Sequence, residues 1–343
     1  MLNILRVRQA PRAVIPLSRR CLLSSSSRLP SLIIRTISPL ELRAVWSDDV
    51  TIASSNQCET LQSNEDENQG RRWLIVERSN PSLSGETSVQ ISVPRRCASI
   101  QIESTSGIQL SGDDRLEIEQ GISIRAEGEV RLGCTIRGQT IDFYSGKSIT
   151  TNKAVEGVKV NLHSRQSVAA KRIGAKVLSI ISGTGLDVHA MYADEIHLQT
   201  QSGNAKVGTS HGALDVKVNQ GDLIVESVSG SISAEVAGNA EVHLEESHPD
   251  ASNVVHCGKQ AKVTLAVTTL PVSIRGTQNV TMTDPDVAFR DGRLELSRPS
   301  AGDGSGVLVV HGNDESSVSL LSWIESVKLK AAKKHGFDPS LLP

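Results

Sequence analysis

The chain has 343 residues, with 36 Lys or Arg, 38 Asp or Glu, and only three Phe, three Trp and two Tyr. Because aromatic residues are so scarce, we expect a core of Val, Ile, Leu and Ala, arranged in one or two domains. Charges interrupt every apolar stretch well short of the about 18 residues that a transmembrane helix needs, which excludes an integral membrane helix.

Residues 1–40 have the composition of an organellar targeting sequence. They hold seven Arg and no Asp or Glu, so the rest of the chain carries 29 basic and 38 acidic residues, a net charge of −9. A cationic, Ser-rich, acid-free segment is typical of a mitochondrial transit peptide, because the membrane potential pulls positive charge inward. We therefore predict a mitochondrial protein, in the matrix, with cleavage between Cys21 and Ser38. The acidic, aromatic-poor remainder argues against binding to nucleic acid.

Residues 41–95 carry weaker signals. Residues 73–76 and 89–93 have the composition of strands, and residues 63–70, SNEDENQG, are predicted to form an exposed acidic loop. We expect this segment to begin and cap the repeat that follows it.

Residues 96–310 are a repeat of short strands. Apolar residues alternate with polar ones in short runs separated by Gly, Ser, Asn, Asp or Gln, which predicts strands with one buried and one exposed face. Within a unit a turn containing Gly leads to a second strand, as at residues 178–180, 182–183 and 186–188. The first strands recur every 18 residues, at Val160, Leu178, Ile196, Leu214 and Ile232.

Two short strands cannot bury their apolar face alone, so stacked units predict a single all-β domain, a β-solenoid with coils of about 18 residues and two strands per coil. A left-handed β-helix of hexapeptides, the scaffold of many acyltransferases, also has 18-residue coils. We reject that class because its register would place poor corner residues on the inward corners, namely Thr184, Ala190, Ser202 and Gly208.

The repeat units at residues 178–188, 196–207, 214–225 and 232–242 resemble a domain of unknown function called the "putative adhesin" domain. The stretches ALDVKVNQGDLIVESVSGSISAEV and LLSWIESVKLK resemble, more closely, the animal proteins named "family with sequence similarity 185", over residues 71–330. The resemblance implies a β-solenoid. It implies no particular activity and therefore no catalytic, cofactor-binding or metal-binding residue.

Three stretches of the chain depart from the 18-residue repeat of short strands. Residues 247–260 and 284–306 are predicted to be loops or irregular coils. Residues 311–343 are predicted to contain a terminal strand and a helix, because Ser322-Trp-Ile-Glu325 fits a capping box and Lys residues follow it. This helix would cover the last coil, since an open sheet edge invites aggregation. The alternative is a weak contact of this basic helix with anionic lipid or a partner protein.

Stacked units also produce outward columns of polar residues. One column contains Ser179, His197, Asp215 and Ser233, from which a hydrolytic triad could be chosen. A flat exterior ladder offers no oxyanion donor and no pocket that excludes water, so we predict no catalysis there. Solvated polar ladders are predicted for Gln199, Lys217 and Glu235 and for the pair Asp187 and Lys206.

The middle of the repeat is rich in His, which raises the possibility of a metal site. The candidates are His189, His197, His211, His243, His248 and His256. None has H-x-x-x-H spacing, although His256 and Cys257 could join His248 across a loop. The five cysteines, Cys21, Cys58, Cys97, Cys134 and Cys257, are widely spaced and form no C-x-x-C pair, so we expect reduced core residues and no metal or cofactor.

Together these features favour a non-enzymatic mitochondrial β-solenoid that presents a flat face to a protein or polymer partner. The alternative is an enzyme whose site lies on the irregular stretches 247–260 or 284–306, because function tends to reside on loops that a rigid scaffold carries.

Overall fold

A computed structural model describes residues 31–36, 40–45, 51–54, 60–66, 71–77, 89–112, 115–247, 252–265, 272–275, 279–282, 287–290, 293–296, 307–312 and 317–322. Over these residues the regular secondary structure is entirely β. The strands are β1 (Ser31–Thr36), β2 (Leu40–Val45), β3 (Thr51–Ser54), β4 (Thr60–Asp66), β5 (Arg71–Glu77), β6 (Val89–Pro94), β7 (Arg96–Ser104), β8 (Ile108–Ser111), β9 (Arg115–Ala126), β10 (Val130–Leu132), β11 (Thr135–Ser145), β12 (Ile149–Ser164), β13 (Ser167–Gly174), β14 (Val177–Ser182), β15 (Gly185–Thr200), β16 (Ala205–Val218), β17 (Leu223–Val236), β18 (Ala240–Ser247), β19 (Ser252–Cys257), β20 (Gln260–Leu265), β21 (Val272–Arg275), β22 (Asn279–Met282), β23 (Val287–Arg290), β24 (Arg293–Leu296), β25 (Val307–His311) and β26 (Ser317–Ser322).

Successive coils pair in parallel and form three sheets. The first sheet contains, in spatial order, β5, β1, β7, the C-terminal parts of β9, β11 and β12, then β14, the C-terminal parts of β15, β16 and β17, then β19, β25 and β21. The second sheet contains β6, β2, β8, β10, the N-terminal parts of β12, β13, β15, β16, β17 and β18, then β20, β26 and β22. The predicted β-solenoid is therefore confirmed.

A third, narrow sheet joins the other two. It is built from short segments such as residues 172–174, 190–192, 209–211 and 227–230, which pair with one another between the bends of each coil. The two-strand pattern did not include these segments. They are too short for alternation to be visible, because a segment of three residues turns only one side chain inward.

The register follows the predicted period. Leu178, Ile196, Leu214 and Ile232 are consecutive Cα partners in the first sheet, and each is at most 2% exposed. The apolar side chains of all three sheets fill one continuous core. Nearer the N-terminus the coils are longer, since Ile122 pairs with Ile141 after 19 residues.

At both ends the coils do not stack in the order of the chain. β1 lies between β5 and β7, and β2 lies between β6 and β8, so the first coil of the chain is inserted between two later coils. At the other end β25 lies between β19 and β21, and β26 lies between β20 and β22. The inserted strands belong to the core, since Leu32 and Ile34 are 2% and 0% exposed. Each terminal coil is thus held by parallel ladders on both sides.

A column of small hydroxyl residues stabilises the turns between the first and second sheets. Its members are fully buried partners in successive coils, Ser145, Ser164, Ser182 and Thr200. The Oγ of Ser182 donates a hydrogen bond of 2.6 Å to the carbonyl of Gly185 and accepts one of 3.1 Å from its N–H. The column therefore satisfies turn backbone groups that the ladders leave unpaired. The sequence pattern places Ser182 in such a turn but does not predict its hydrogen bonds.

The bend that leads from the third sheet to the first requires glycine. Gly212 has a φ of 118°, and a Cβ built on it would lie 1.7 Å from the carbonyl oxygen of Ala193 in the preceding coil. A residue with a side chain would therefore clash with backbone and adopt a strained conformation.

Strands occupy parts of the stretches that we predicted to be loops. Residues 63–66 lie in β4, which pairs antiparallel with β5. Residues 252–257 form β19 and continue the first sheet, and residues 287–296 contain the antiparallel pair β23 and β24. Polar composition was misleading because edge strands and hairpins keep charged residues on their exposed side. Residues 73–76 and 89–93 lie in β5 and β6 as predicted, and the predicted C-terminal helix lies outside the described residues, except for Ser322 at the end of β26.

Candidate functional site

The outward side of the first sheet is the broadest regular surface of the solenoid. Six residues of each middle coil lie in the ladders of this sheet, against three or four in each of the other two sheets, and every second side chain points outward. Its outward column includes Ser179, His197, Asp215 and Ser233, which the structure places on successive coils as Cα partners. The sequence-based placement of this column is confirmed.

The geometry of this column does not make a catalytic triad. His197 Nδ1 lies 3.4 Å from Asp215 Oδ2, a long contact between side chains that are 54% and 61% exposed. Among the hydrogen bonds within the described residues, none joins Ser179 to His197. Water therefore competes for both imidazole nitrogens, and nothing holds a hydroxyl against the ring for deprotonation. The column is a row of exposed hydrogen-bonding groups.

Charged side chains of neighbouring coils pair along the outward columns. Lys217 Nζ donates a 2.8 Å hydrogen bond to Glu235 Oε2, as expected for the predicted ladder, and this bond and the ammonium charge lower the pKa of Glu235. Asp187 and Lys206 are register partners, but the Lys206 ammonium lies 3.4 Å from Glu226 instead. The predicted polar ladder of Asp187 and Lys206 is therefore confirmed by the register, and the long Lys206 side chain forms its ion pair with an acid of the next coil.

Two pairs of aromatic rings also contact each other across neighbouring coils of the first sheet. The rings of Tyr144 and His163 meet edge to face with centroids 5.1 Å apart, and those of His256 and His311 stack with centroids 4.3 Å apart. Both pairs lie in the same outward column as Lys217 and Glu235. The column thus presents aromatic and charged groups in line.

The His candidates for a metal site lie on different surfaces. His197 and His256 point outward from the first sheet, His211 lies on the third sheet, and His189 lies at the bend between the second and third sheets. Cys257 is buried on the inner side of β19, opposite the exposed His256 next to it, so the two cannot share a metal ion. Within the described residues no group of three or more His, Cys, Asp or Glu is placed to hold a metal. His248 lies outside the described residues.

The three cysteines that the structure describes are buried free thiols. Burial raises the pKa of Cys97 to about 12 and that of Cys134 to about 11, and it also raises the pKa of Cys257. A thiol with such a pKa is protonated at neutral pH and is a poor nucleophile. These cysteines therefore fill the core, in agreement with the prediction, whereas Cys21 and Cys58 lie outside the described residues.

One void in the interior, of about 10 Å³, is lined almost entirely by apolar side chains near the N-terminal end of the core. Its lining includes Val93, Ile100, Leu110, Leu116 and Cys134. A volume of this size accommodates at most about one water molecule. It is a packing defect of the core and not a substrate site.

Comparison with known proteins adds little to this geometry. No protein-family model matches the chain, and no curated protein matches it. Two solved structures are similar in fold at low identity. A "putative cell adhesion protein" from Clostridium sporogenes is 8% identical, with 86% of this chain and 93% of that chain covered and a TM-score of 0.19. A "putative adhesin" from Bacteroides fragilis is 9% identical, with 86% and 92% covered and a TM-score of 0.28. TM-scores this low carry no argument about function, and the resemblance to the animal family stays a prediction.

Among the described residues, no helix has the length and apolar character required to cross a bilayer.

Proposed function

We propose that this protein is a non-enzymatic scaffold of the mitochondrion that binds a protein or polymer partner along the outward face of its first sheet. The observation that carries the proposal is the set of outward columns on that sheet, which in the middle coils are polar apart from Val177, Ile181 and Ala213 and are aligned from coil to coil by the register of the strands.

The dimensions of the face suit this role. Thirteen strands in the order given above, about 4.8 Å apart, span roughly 58 Å, and six residues per strand give a width of about 20 Å. The area of about 1,100 Å² exceeds the roughly 800 Å² per partner that a stable protein interface buries. A flat face of this size can accept an extended partner without any change of the scaffold.

The chemistry of the face also favours binding over catalysis. Its candidate triad is exposed, and the described cysteines are buried with raised pKa values. Exposed polar and aromatic groups at fixed spacing are instead the features with which interfaces obtain specificity.

Charge reversal on the first sheet tests the proposal. We expect Lys217→Glu to lose at least tenfold in affinity for a partner that wild-type protein captures from mitochondria, because it removes a cation at the centre of the face. Lys206→Glu is the matched control, since Lys206 is also a half-exposed Lys within 3.4 Å of an acid but lies on the second sheet.

The triple variant Ser179→Ala, His197→Ala and Asp215→Ala should keep its fold. Loss of an esterase or peptidase activity in that variant, or equal loss of the partner in both Lys variants, would contradict the proposal.

The mitochondrial location rests on the seven Arg of residues 1–40. We expect these residues to import a fluorescent reporter into mitochondria, and we expect import to fail when five arginines are replaced by Gln, because the membrane potential then has little charge to act on. The five are Arg6, Arg8, Arg12, Arg19 and Arg20. Replacement of the same five by Lys keeps the charge and should keep import. A reporter that stays in the cytosol with the natural sequence would refute the location.

A further inference from the structure

The middle coils carry a positive charge that contrasts with the rest of the body. Residues 137–176 contain eight basic and two acidic residues, a net charge of +6, although the chain after residue 40 has a net charge of −9. The basic residues are Arg137, Lys147, Lys153, Lys159, Arg165, Lys171, Arg172 and Lys176, and the acidic ones are Asp142 and Glu156.

Six of these cations gather on one side of the solenoid. They lie on the third sheet, on the bends at its two edges and, for Lys159, at the first position of the adjoining strand of the first sheet, within three consecutive coils, and all are exposed. We call this surface the basic patch: Arg137, Lys153, Lys159, Lys171, Arg172 and Lys176. Glu117 and Glu156 are the register partners of Arg137 on its two sides, and Asp194 lies at the bend beside Lys176, so the local charge of the patch is about +3.

The cations of the basic patch are not neutralised as others are. Several basic side chains elsewhere meet acids of the same or neighbouring coils, for example Lys206 with Glu226 at 3.4 Å and Arg96 with Glu117 at 3.1 Å. Within the part of the chain that the structure describes, none of the six patch cations forms an ion pair. Their charge therefore remains available to a ligand, and the Debye length of about 10 Å keeps the acids of distant coils from cancelling it.

Apolar and aromatic groups lie within the same surface. Val158 is 55% exposed and Tyr192 is 41% exposed, two of the three large apolar side chains that the described residues expose. The Lys176 N–H donates to the carbonyl of Val158, and the Ala175 N–H donates to that of Tyr192, which places both side chains beside the patch. A valine and a tyrosine among lysines suit a surface that is partly apolar and partly anionic.

The ring of Tyr192 is already covered. His211, one coil further on, stacks on it with centroids 4.9 Å apart, and the Arg172 guanidinium of the preceding coil lies 5.3 Å from its centroid. A nucleic-acid base would need a free ring face for stacking and a groove that follows the phosphates. The sheet is flat and the ring is occupied, so this arrangement does not favour nucleic acid.

We propose that the basic patch docks the solenoid on a membrane surface rich in anionic phospholipid. The third sheet and its bends let several cations reach headgroups at the same time, and Val158 and the exposed edge of Tyr192 meet the boundary between headgroups and acyl chains. This surface meets the first sheet only at Lys159, and the proposal does not depend on the function proposed above.

Vesicle co-sedimentation of the full chain tests the proposal. We expect binding to phosphatidylcholine vesicles that contain phosphatidylserine and no binding to phosphatidylcholine alone. Each Lys or Arg near an anionic membrane raises affinity about fivefold, so Lys153→Glu, Lys171→Glu and Lys176→Glu together should lower the binding constant roughly 100-fold or more. The variant keeps Arg172 and its contact with Tyr192.

A matched triple variant separates local from total charge. Lys206→Glu, Lys259→Glu and Lys262→Glu change the net charge equally but lie on the second sheet and the turn before it, and this variant should bind anionic vesicles as the wild type does. Equal loss in both variants would show that only total charge matters and would overturn the proposal. Tighter binding of the patch to a single-stranded oligonucleotide or to an acidic peptide than to the anionic vesicles would overturn it in favour of that partner.

Discussion

Replacing Ile196 with Asp is expected to lower the free energy of unfolding by more than about 3 kcal/mol at neutral pH. Ile196 is fully buried and has Leu178 and Leu214 as its partners in the adjacent coils. A carboxyl group at this position loses its water and gains no hydrogen-bond donor, so its pKa in the folded protein rises above the unfolded value of about 4. The folded state then keeps a proton that the unfolded state has released, so stability falls as the pH rises.

Urea unfolding followed by circular dichroism at about pH 5 and about pH 8 measures this effect, with a larger loss expected at the higher pH. Ile196→Asn is the matched control, since it also disturbs the core but has no group that titrates and should show no such pH dependence. His197→Ser, at the exposed neighbouring position, should change stability by less than about 0.5 kcal/mol. Equal stability of the Asp variant and the Ser variant would mean that Ile196 does not face the core.

Deleting residues 1–45 is expected to destabilise the N-terminal end of the solenoid by at least about 3 kcal/mol, whereas deleting residues 1–30 should leave it intact. The longer deletion removes β1 and β2, which pair on both sides with other strands and bury Leu32 and Ile34. Its loss opens a gap between β5 and β7 that only a rearrangement of the following coils can close. Hydrogen exchange of the β7 and β8 amides, together with urea unfolding, reports the change at this end.

A pair of point variants controls for the effect of truncation itself. Ile34→Ala removes a fully buried side chain and should cost about 2–5 kcal/mol, whereas Ile33→Ala alters the half-buried, outward position beside it and should cost much less. Protection of β7 that is the same after both deletions would show that β1 is not inserted in solution. If residues 1–40 contain the proposed transit peptide and β1 is inserted, we expect cleavage before Ser31, within residues 21–30 of the predicted range.

Much of the middle of the molecule could be predicted from residues alone. The 18-residue spacing gave the register of Leu178, Ile196, Leu214 and Ile232, and alternation gave the outward positions of His197 and Asp215. Both follow from local geometry, since side chains of a strand alternate and glycine marks the turns. The buried hydroxyl of Ser182 was missed because alternation records which side of a strand a residue faces but not what the neighbouring turn needs for its hydrogen bonds.

The sequence by itself thus determined that this chain is a β-solenoid, which residues face its core in the middle coils, and that its scarce aromatics leave the core to aliphatic side chains. Only the tertiary structure decided the third sheet, the insertion of β1 and β2 between later coils, and the gathering of the basic patch. The physical reason is that the coils have similar sequence patterns. Hydrogen-bonded pairing between their strands therefore decides which coils become neighbours. Arg172 and the ring of Tyr192 meet because one coil returns the chain to the same side. β1 pairs with β5 and β7 although 42 residues separate Ser31 from Trp73 in the first of these ladders.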